Sequence, residues 1–223
     1  MTGSPLPVVV LISGSGSNLQ AFIDGRDEGS LPIDIRAVIS NKPEAYGLVR
    51  AEQAGIPTRV LPHRDFDSRE AYDEALRAMI DEVAPELVIL AGFMRILSTG
   101  FVDHYQGRLI NIHPSLLPAF RGLDTHQRAL AAGVREHGCS VHFVTPDLDA
   151  GPVIVQGPVA VHDNDDPQSL AERVHGQEHR VYPLAVRWLA EGRVEMRGER
   201  AYLDGMPLVT APRLEPGQDP GTL

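Results

Sequence analysis

The chain has 223 residues, a formal charge of −10, 43% hydrophobic and 22% charged residues, ordinary for a soluble globular protein and long enough to bury a sizeable core. The acidic balance argues against a general nucleic-acid binder, which carries a basic excess, but it leaves room for an anionic small molecule in a locally positive pocket. Its one cysteine, Cys139, excludes an internal disulfide and a cysteine metal cage and points to a reducing cytoplasm; no leader pattern or apolar run of membrane length is read in it.

The first element, over residues 7–13, is a β-branched run of the kind covered on both faces. It breaks into Gly14-Ser15-Gly16-Ser17-Asn18, and Leu19, Ala21, Phe22 and Ile23 follow at helical spacing. Strand, glycine loop and helix in that order put free backbone N–H groups at a helix start, where they favour a phosphate. The glycine spacing is neither the dinucleotide fingerprint nor a Walker loop, and many α/β proteins place a glycine turn here only to reverse the chain. A second strand is predicted over 33–40, a helix closed by Gly55, and a short strand over 56–61. Ser68 caps a helix whose apolar stripe runs through Tyr72, Ala75, Leu76, Met79, Ile80 and Val83, with Pro85 as its stop. A fourth strand spans 87–92, and a short helix through Tyr105 leads to a fifth.

That fifth strand, Leu109-Ile110-Asn111-Ile112-His113, ends at Pro114. Alternate residues share a face, so Asn111 and His113 leave it side by side. An amide that can hold a developing oxyanion beside a ring that moves protons near neutral pH suits acyl chemistry, with the nucleophile supplied by a substrate. A core histidine bonded to a neighbour explains this stretch equally well. Beyond it, a helix over 125–132 precedes strands over 139–144 and 153–161, whose connection is too short for a crossover helix and so predicts an antiparallel pair. Asp166 or Ser169 starts a long helix. The pattern predicts a doubly wound, mostly parallel α/β sheet with an antiparallel strand pair near its C-terminal end and a ligand site outside the carboxyl ends of the strands. Residues 1–209 read as one domain, and 210–223, rich in proline and glycine, as a tail without fixed structure.

Five stretches, 12–20, 92–97, 110–118, 140–154 and 177–183, resemble the phosphoribosylglycinamide formyltransferase family in the family's order. The resemblance implies direct transfer of a formyl group from 10-formyltetrahydrofolate to the amine of glycinamide ribonucleotide. Folate is then a consumed co-substrate, with no permanently bound cofactor, no metal and no nucleic-acid or membrane partner, in a cytoplasmic monomer or homodimer. Asn111, His113 and Asp149 match the family's catalytic amide, imidazole and carboxylate. Gly16, Ser17 and Asn18 match its ribonucleotide phosphate loop and Glu178 an acidic contact to the same substrate. Arg69, Met94, Arg95, Ile96 and Leu97, with Asn111, Thr145, Pro146, Asp147, Leu148 and Asp149, match the folate site; His142 matches a second histidine, placed behind the reacting groups. Arg69 and Arg95 also read as solvated surface residues, and Asp149 as a turn former ahead of Gly151-Pro152. Ala150 departs from the glycine common in the family, which matters only if the turn needs positive φ there.

Related activities are weighed against this. Methionyl-tRNA formyltransferases share the Asn-x-His-x-Ser-Leu-Leu-Pro pattern but carry a basic C-terminal RNA-binding domain, whereas this chain ends in an acidic helix and a Pro-rich stretch. Formyltetrahydrofolate hydrolases carry an N-terminal regulatory domain, and here the first strand begins at Pro7. A folate-binding protein without catalysis has no need of the amide, imidazole and carboxylate together.

Overall fold

A computed structural model describes residues 4–223, and the chain divides into two compact units that meet in sequence between Asn111 and Ile112. The first unit is built on strands β1 (Leu6–Ile12), β2 (Ile33–Ser40), β3 (Thr58–Val60), β4 (Leu87–Leu90) and the beginning of β5 (Leu109–His113), in the order β3-β2-β1-β4-β5 and parallel throughout. Every residue of β4 and the last five of β1 are buried, as continuous apolar runs in a sheet covered on both faces require. The covering helices are α1 (Ser17–Asp27), α2 (Tyr46–Gln53), α3 (Arg69–Asp81) and α4 (Thr99–His104). On α3, the predicted cap holds: the Ser68 hydroxyl accepts the Ala71 N–H at 3.1 Å, and Tyr72, Leu76 and Ile80 are buried four residues apart. The order of the strands reverses between β1 and β4, the kind of switch point beside which α/β sheets bind ligands.

The second unit takes the end of β5, α5 (Thr125–Ala131), β6 (Glu136–Phe143), β7 (Val153–Ala160) and α6 (Pro167–Ala190). β6 and β7 pair antiparallel from Glu136↔Ala160 to His142↔Val153, as their short connection predicts. β6 begins three residues before the sequence-based expectation. Gly138 reads as a break, yet its missing side chain is what admits the pairing, since a Cβ there would overlap the Gly157 carbonyl. Asp166 caps α6 by accepting the Ser169 N–H at 2.7 Å while the Ser169 hydroxyl accepts from the Asp166 N–H, a reciprocal capping box. In all, the fold is a mostly parallel seven-stranded sheet with helices and a separate three-stranded antiparallel sheet.

Two features depart from the sequence reading. The small sheet, β8 (Val194–Arg197), β9 (Arg200–Leu203) and β10 (Met206–Pro207), has no apolar run to announce it; its signal is Asp204-Gly205, both at positive φ, the chemistry of a two-residue hairpin turn. The final stretch is not free of structure. Gln156 N donates to Pro212 O and Leu214 N to Gln156 O, both at 2.9 Å, so this segment lies along β7 with Leu214 fully buried. Gln177 donates to Leu214 O and Arg180 to the Glu215 and Gln218 carbonyls, which satisfies backbone groups that composition alone would leave to water. Among the described residues, no helix is long and apolar enough to cross a membrane.

Candidate active site

β5 ends at His113 because Pro114 cannot continue the ladder, and the loop beyond it is clamped from several sides. Ser140 donates to Ser115 O at 2.7 Å and accepts the Leu117 N–H at 3.0 Å, while Gln156 donates to Leu117 O at 2.9 Å. The loop then folds back, so that the Phe120 carbonyl lies 3.0 Å from His113 Nε2. The opposite ring nitrogen, Nδ1, is 3.3 Å from Asp149 Oδ2, and both side chains are at most 10% exposed. Both nitrogens of His113 therefore face acceptors, and only a doubly protonated ring donates to both.

Asp149 comes from the loop between β6 and β7, where it sits at φ +48. That left-handed conformation is one that aspartate tolerates in turns. Its carboxylate accepts the Gly122 N–H at 2.9 Å, and His142 Nε2 stands 3.9 Å from its other oxygen. His142 donates through Nδ1 to Phe143 O at 2.9 Å, and burial pushes its pKa down to about 4 against the opposing pull of that carbonyl and Asp149, so it is neutral at pH 7. Positive φ falls on Asp149 rather than Ala150, which is why alanine is accommodated in place of the family's glycine. The rest of the loop is more open: Leu148 is 56% exposed, and Thr145 bonds locally to Asp147 O at 3.5 Å.

Glu178, on α6, is buried; burial first, and Glu178 second, push the Cys139 thiol and the Tyr182 hydroxyl well above their ordinary values. A second histidine cluster was not signalled by the sequence. His137, buried on β6, lies 3.2 Å from His126 Nδ1 and under the edge of the Phe120 ring, and burial first, then the neighbouring histidines, lowers its pKa to about 4. Phe120 and Gly122, which contact His113 and Asp149, were likewise missed; Arg121-Gly122 is only an ordinary turn signal.

In the first unit, the glycine loop runs from the end of β1 directly into α1. Gly16 caps α1 at φ +70, a left-handed conformation that favours glycine. The loop is fixed from behind: Gly47 N donates to Gly14 O at 3.0 Å, and Arg50 donates to Ser15 O at 2.8 Å. A Cβ on Gly16 would come within 2.6 Å of Gly47 Cα, so the two glycines are what allow this approach. Residues 93–98 carry no regular structure; Met94 and Ile96 are 68% and 64% exposed, and the Arg95 guanidinium lies 5.4 Å from the Tyr72 ring centre. Arg69 is half exposed and pairs with Glu70 at 3.3 Å. Asn111 is half-buried on β5, paired in register with Leu90.

A mostly parallel α/β sheet whose fifth strand ends in an amide and an imidazole, the latter beside a carboxylate, suits a group-transfer enzyme, and the formyl transferase family model matches residues 6–186. The chain belongs to that family. It is 56% identical over 201 residues to the phosphoribosylglycinamide formyltransferase of Escherichia coli, covering 90% of this chain and 95% of that protein. It is 44% identical to the enzyme of the same name from Haemophilus influenzae, with the same coverage. Among solved structures, the phosphoribosylglycinamide formyltransferase of Coxiella burnetii superposes with a TM-score of 0.89 at 53% identity, covering 94% of this chain and all of that one.

Proposed function

We propose that this enzyme transfers the formyl group of 10-formyltetrahydrofolate directly to the amine of glycinamide ribonucleotide, releasing formylglycinamide ribonucleotide and tetrahydrofolate. The observation that carries the chemistry is His113 with its two ring nitrogens on Phe120 O and Asp149, in a chain whose full-length relatives bear this activity by name. The substrate amine attacks the formyl carbon, and its lone pair becomes the new C–N bond as the carbonyl π electrons move onto oxygen. Asn111 donates its amide N–H to that oxyanion, the point where charge develops. Collapse of the intermediate breaks the bond to the folate N10, which takes the Nε2 proton of His113 in exchange for that proton's bond to Phe120 O, and the proton lost by the attacking amine passes towards Asp149. His142, neutral and buried behind Asp149, keeps its Nδ1–H on Phe143 O and packs beside the carboxylate without adding a charge.

The ribonucleotide's phosphate binds at Gly16, Ser17 and Asn18, and Glu178 contacts the same substrate. Folate lies against Met94, Arg95, Ile96 and Leu97, with Arg69 for its glutamate and the segment 145–149 for the pterin; apolar walls with backbone donors along one edge suit such a ring. The enzyme works in the cytoplasm as a monomer or homodimer, in keeping with its single buried thiol. The test is an acceptor comparison. The protein is incubated with formylfolate and glycinamide ribonucleotide, formyl-acceptor tRNA, or water alone, and tetrahydrofolate is followed. Tetrahydrofolate forms with the ribonucleotide; formation only with tRNA, or equally fast in water, overturns the assignment.

A further inference from the structure

The segment 93–98 runs from the end of β4 to the cap of α4 without regular structure, and it is tied down at two places by side chains from elsewhere in the first unit. At one end the Met94 N–H donates to Ser13 Oγ at 2.8 Å. At the other the Ser98 N–H donates to Asp73 Oδ2 at 2.5 Å. Between these posts Met94 and Ile96 present their side chains outwards. A loop so exposed would sample many conformations, and two fixed backbone amides remove much of that freedom before a ligand arrives.

Both posts are themselves rigid. Ser13, which follows β1 directly, is buried, and because a backbone N–H only donates, its hydroxyl must accept from Met94 and point its own proton elsewhere. That proton goes to Asn41 Oδ1, 2.6 Å away at the end of β2, which turns the Asn41 amide group towards His63 Nδ1 at 3.3 Å. The chain of bonds thus links the carboxyl ends of β2, β1 and β4 across the switch point of the sheet. Asp73 is 3% exposed on α3, one residue from Tyr72, whose ring carries the Arg95 guanidinium. Its second oxygen, Oδ1, has no hydrogen-bond donor among the described residues, so its measurable work is the bond to Ser98. The phosphate loop, although it starts at the next residue after Ser13, is held by other bonds, from Gly47 to Gly14 and from Arg50 to Ser15.

We propose that Ser13 and Asp73 are positioning residues that hold residues 94–97 in the geometry that receives folate, and that they do so independently of the ribonucleotide loop. This rests on the folate assignment made above.

The test is calorimetric titration of tetrahydrofolate and, separately, glycinamide ribonucleotide into the wild type and the variants Ser13→Ala, Asp73→Ala and Asp73→Asn, with thermal melts as a folding control. Loss of one post weakens tetrahydrofolate by about three- to ten-fold, the worth of one hydrogen bond, while ribonucleotide Kd stays within about two-fold. Asp73→Asn keeps an oxygen for the Ser98 N–H and puts its NH₂ where Oδ1 has no donor, so it restores tetrahydrofolate affinity to within about two-fold of wild type. A general loss of structure moves both ligands together and is not rescued by asparagine; that result overturns the proposal, as does unchanged tetrahydrofolate affinity in Ser13→Ala. Should Asp73→Ala not fold, Ser13→Ala and Asp73→Asn decide. A wild type that binds no tetrahydrofolate removes the folate assignment itself, whereas a wild type that binds it and variants that bind it equally remove only the positioning role.

Discussion

Replacing His113 by alanine and Asp149 by asparagine, singly and together, separates a catalytic unit from two structural positions. At 3.3 Å and an effective dielectric of about 20, an imidazolium and a carboxylate attract by about 5 kcal/mol before either is desolvated, and desolvation takes back much of that. The Asp149→Asn side chain still accepts the Gly122 N–H, so the loop keeps its anchor and the loss falls on the charge that faces Nδ1. Removing a positioned acid or base commonly lowers turnover by about 10²–10⁴-fold, or about 3–5 kcal/mol of barrier. Independent sites would therefore multiply to about 10⁴–10⁸, whereas one proton-transfer unit leaves the double variant little worse than the poorer single. The assay is kcat at saturating substrates for all four proteins, with thermal melts. A stability loss of about 3 kcal/mol from a fold worth about 5–15 leaves most of the protein folded and cannot imitate such rates. Near-wild-type turnover in folded His113→Ala refutes the mechanism, and cleanly multiplicative losses refute the coupling.

Gly16→Val forces a side chain into a φ of +70 and against Gly47, so it weakens ribonucleotide binding while tetrahydrofolate affinity is retained; titration showing the reverse pattern exchanges the two sites. His142 has a folded pKa of about 4, below its ordinary 6.5, so between those values the unfolded chain binds the extra proton: its stability contribution is complete above pH 6.5 and is lost as pH falls towards 4. In urea melts His142→Gln therefore shows a shallower acid loss, by up to about 3 kcal/mol, and an unchanged pH slope contradicts the burial argument. Leu214→Ala empties a fully buried site under the C-terminal segment and costs about 2–5 kcal/mol in urea unfolding, whereas a segment without structure would show no change.

What the sequence makes legible follows from how local each cause is. β1 and β4 are apolar runs with Pro just before them and Gly just after, and the caps Ser68 and Asp166 act within three residues of themselves, so these elements are readable from their own stretch of chain. β8, β9 and β10 are two to four residues long with mixed polarity, and their evidence is turn chemistry rather than periodicity. The C-terminal segment is ordered by partners on β7 and α6, among them Gln156, Gln177 and Arg180, which no window over residues 210–223 contains. The candidate site divides the same way. Asn111 and His113 are legible because a strand sets their relation, whereas Phe120 O, Gly122 N, Ser13 and Asp73 act through backbone groups or distant bonds that carry no motif of their own.

Asp149 shows why the turn-forming and chemical readings of one residue need not compete. On spacing alone it is a turn aspartate ahead of Gly151-Pro152, and in the structure it is one, at φ +48, while Gly151 packs so closely on Phe143 that a Cβ would overlap the Phe143 carbonyl. The left-handed step turns the chain so that the carboxylate points back to Gly122 N and His113 Nδ1 instead of out to water. Asparagine is also comfortable in that conformation, whereas alanine is not, so Asp149→Ala loses the backbone geometry together with the charge and Asp149→Asn loses the charge alone. The strain accepted at a non-glycine left-handed residue is of order 1–3 kcal/mol for most side chains and less for aspartate. Any replacement must therefore satisfy the turn before it can serve the chemistry, and this narrows the residues able to hold a carboxylate beside His113 to very few.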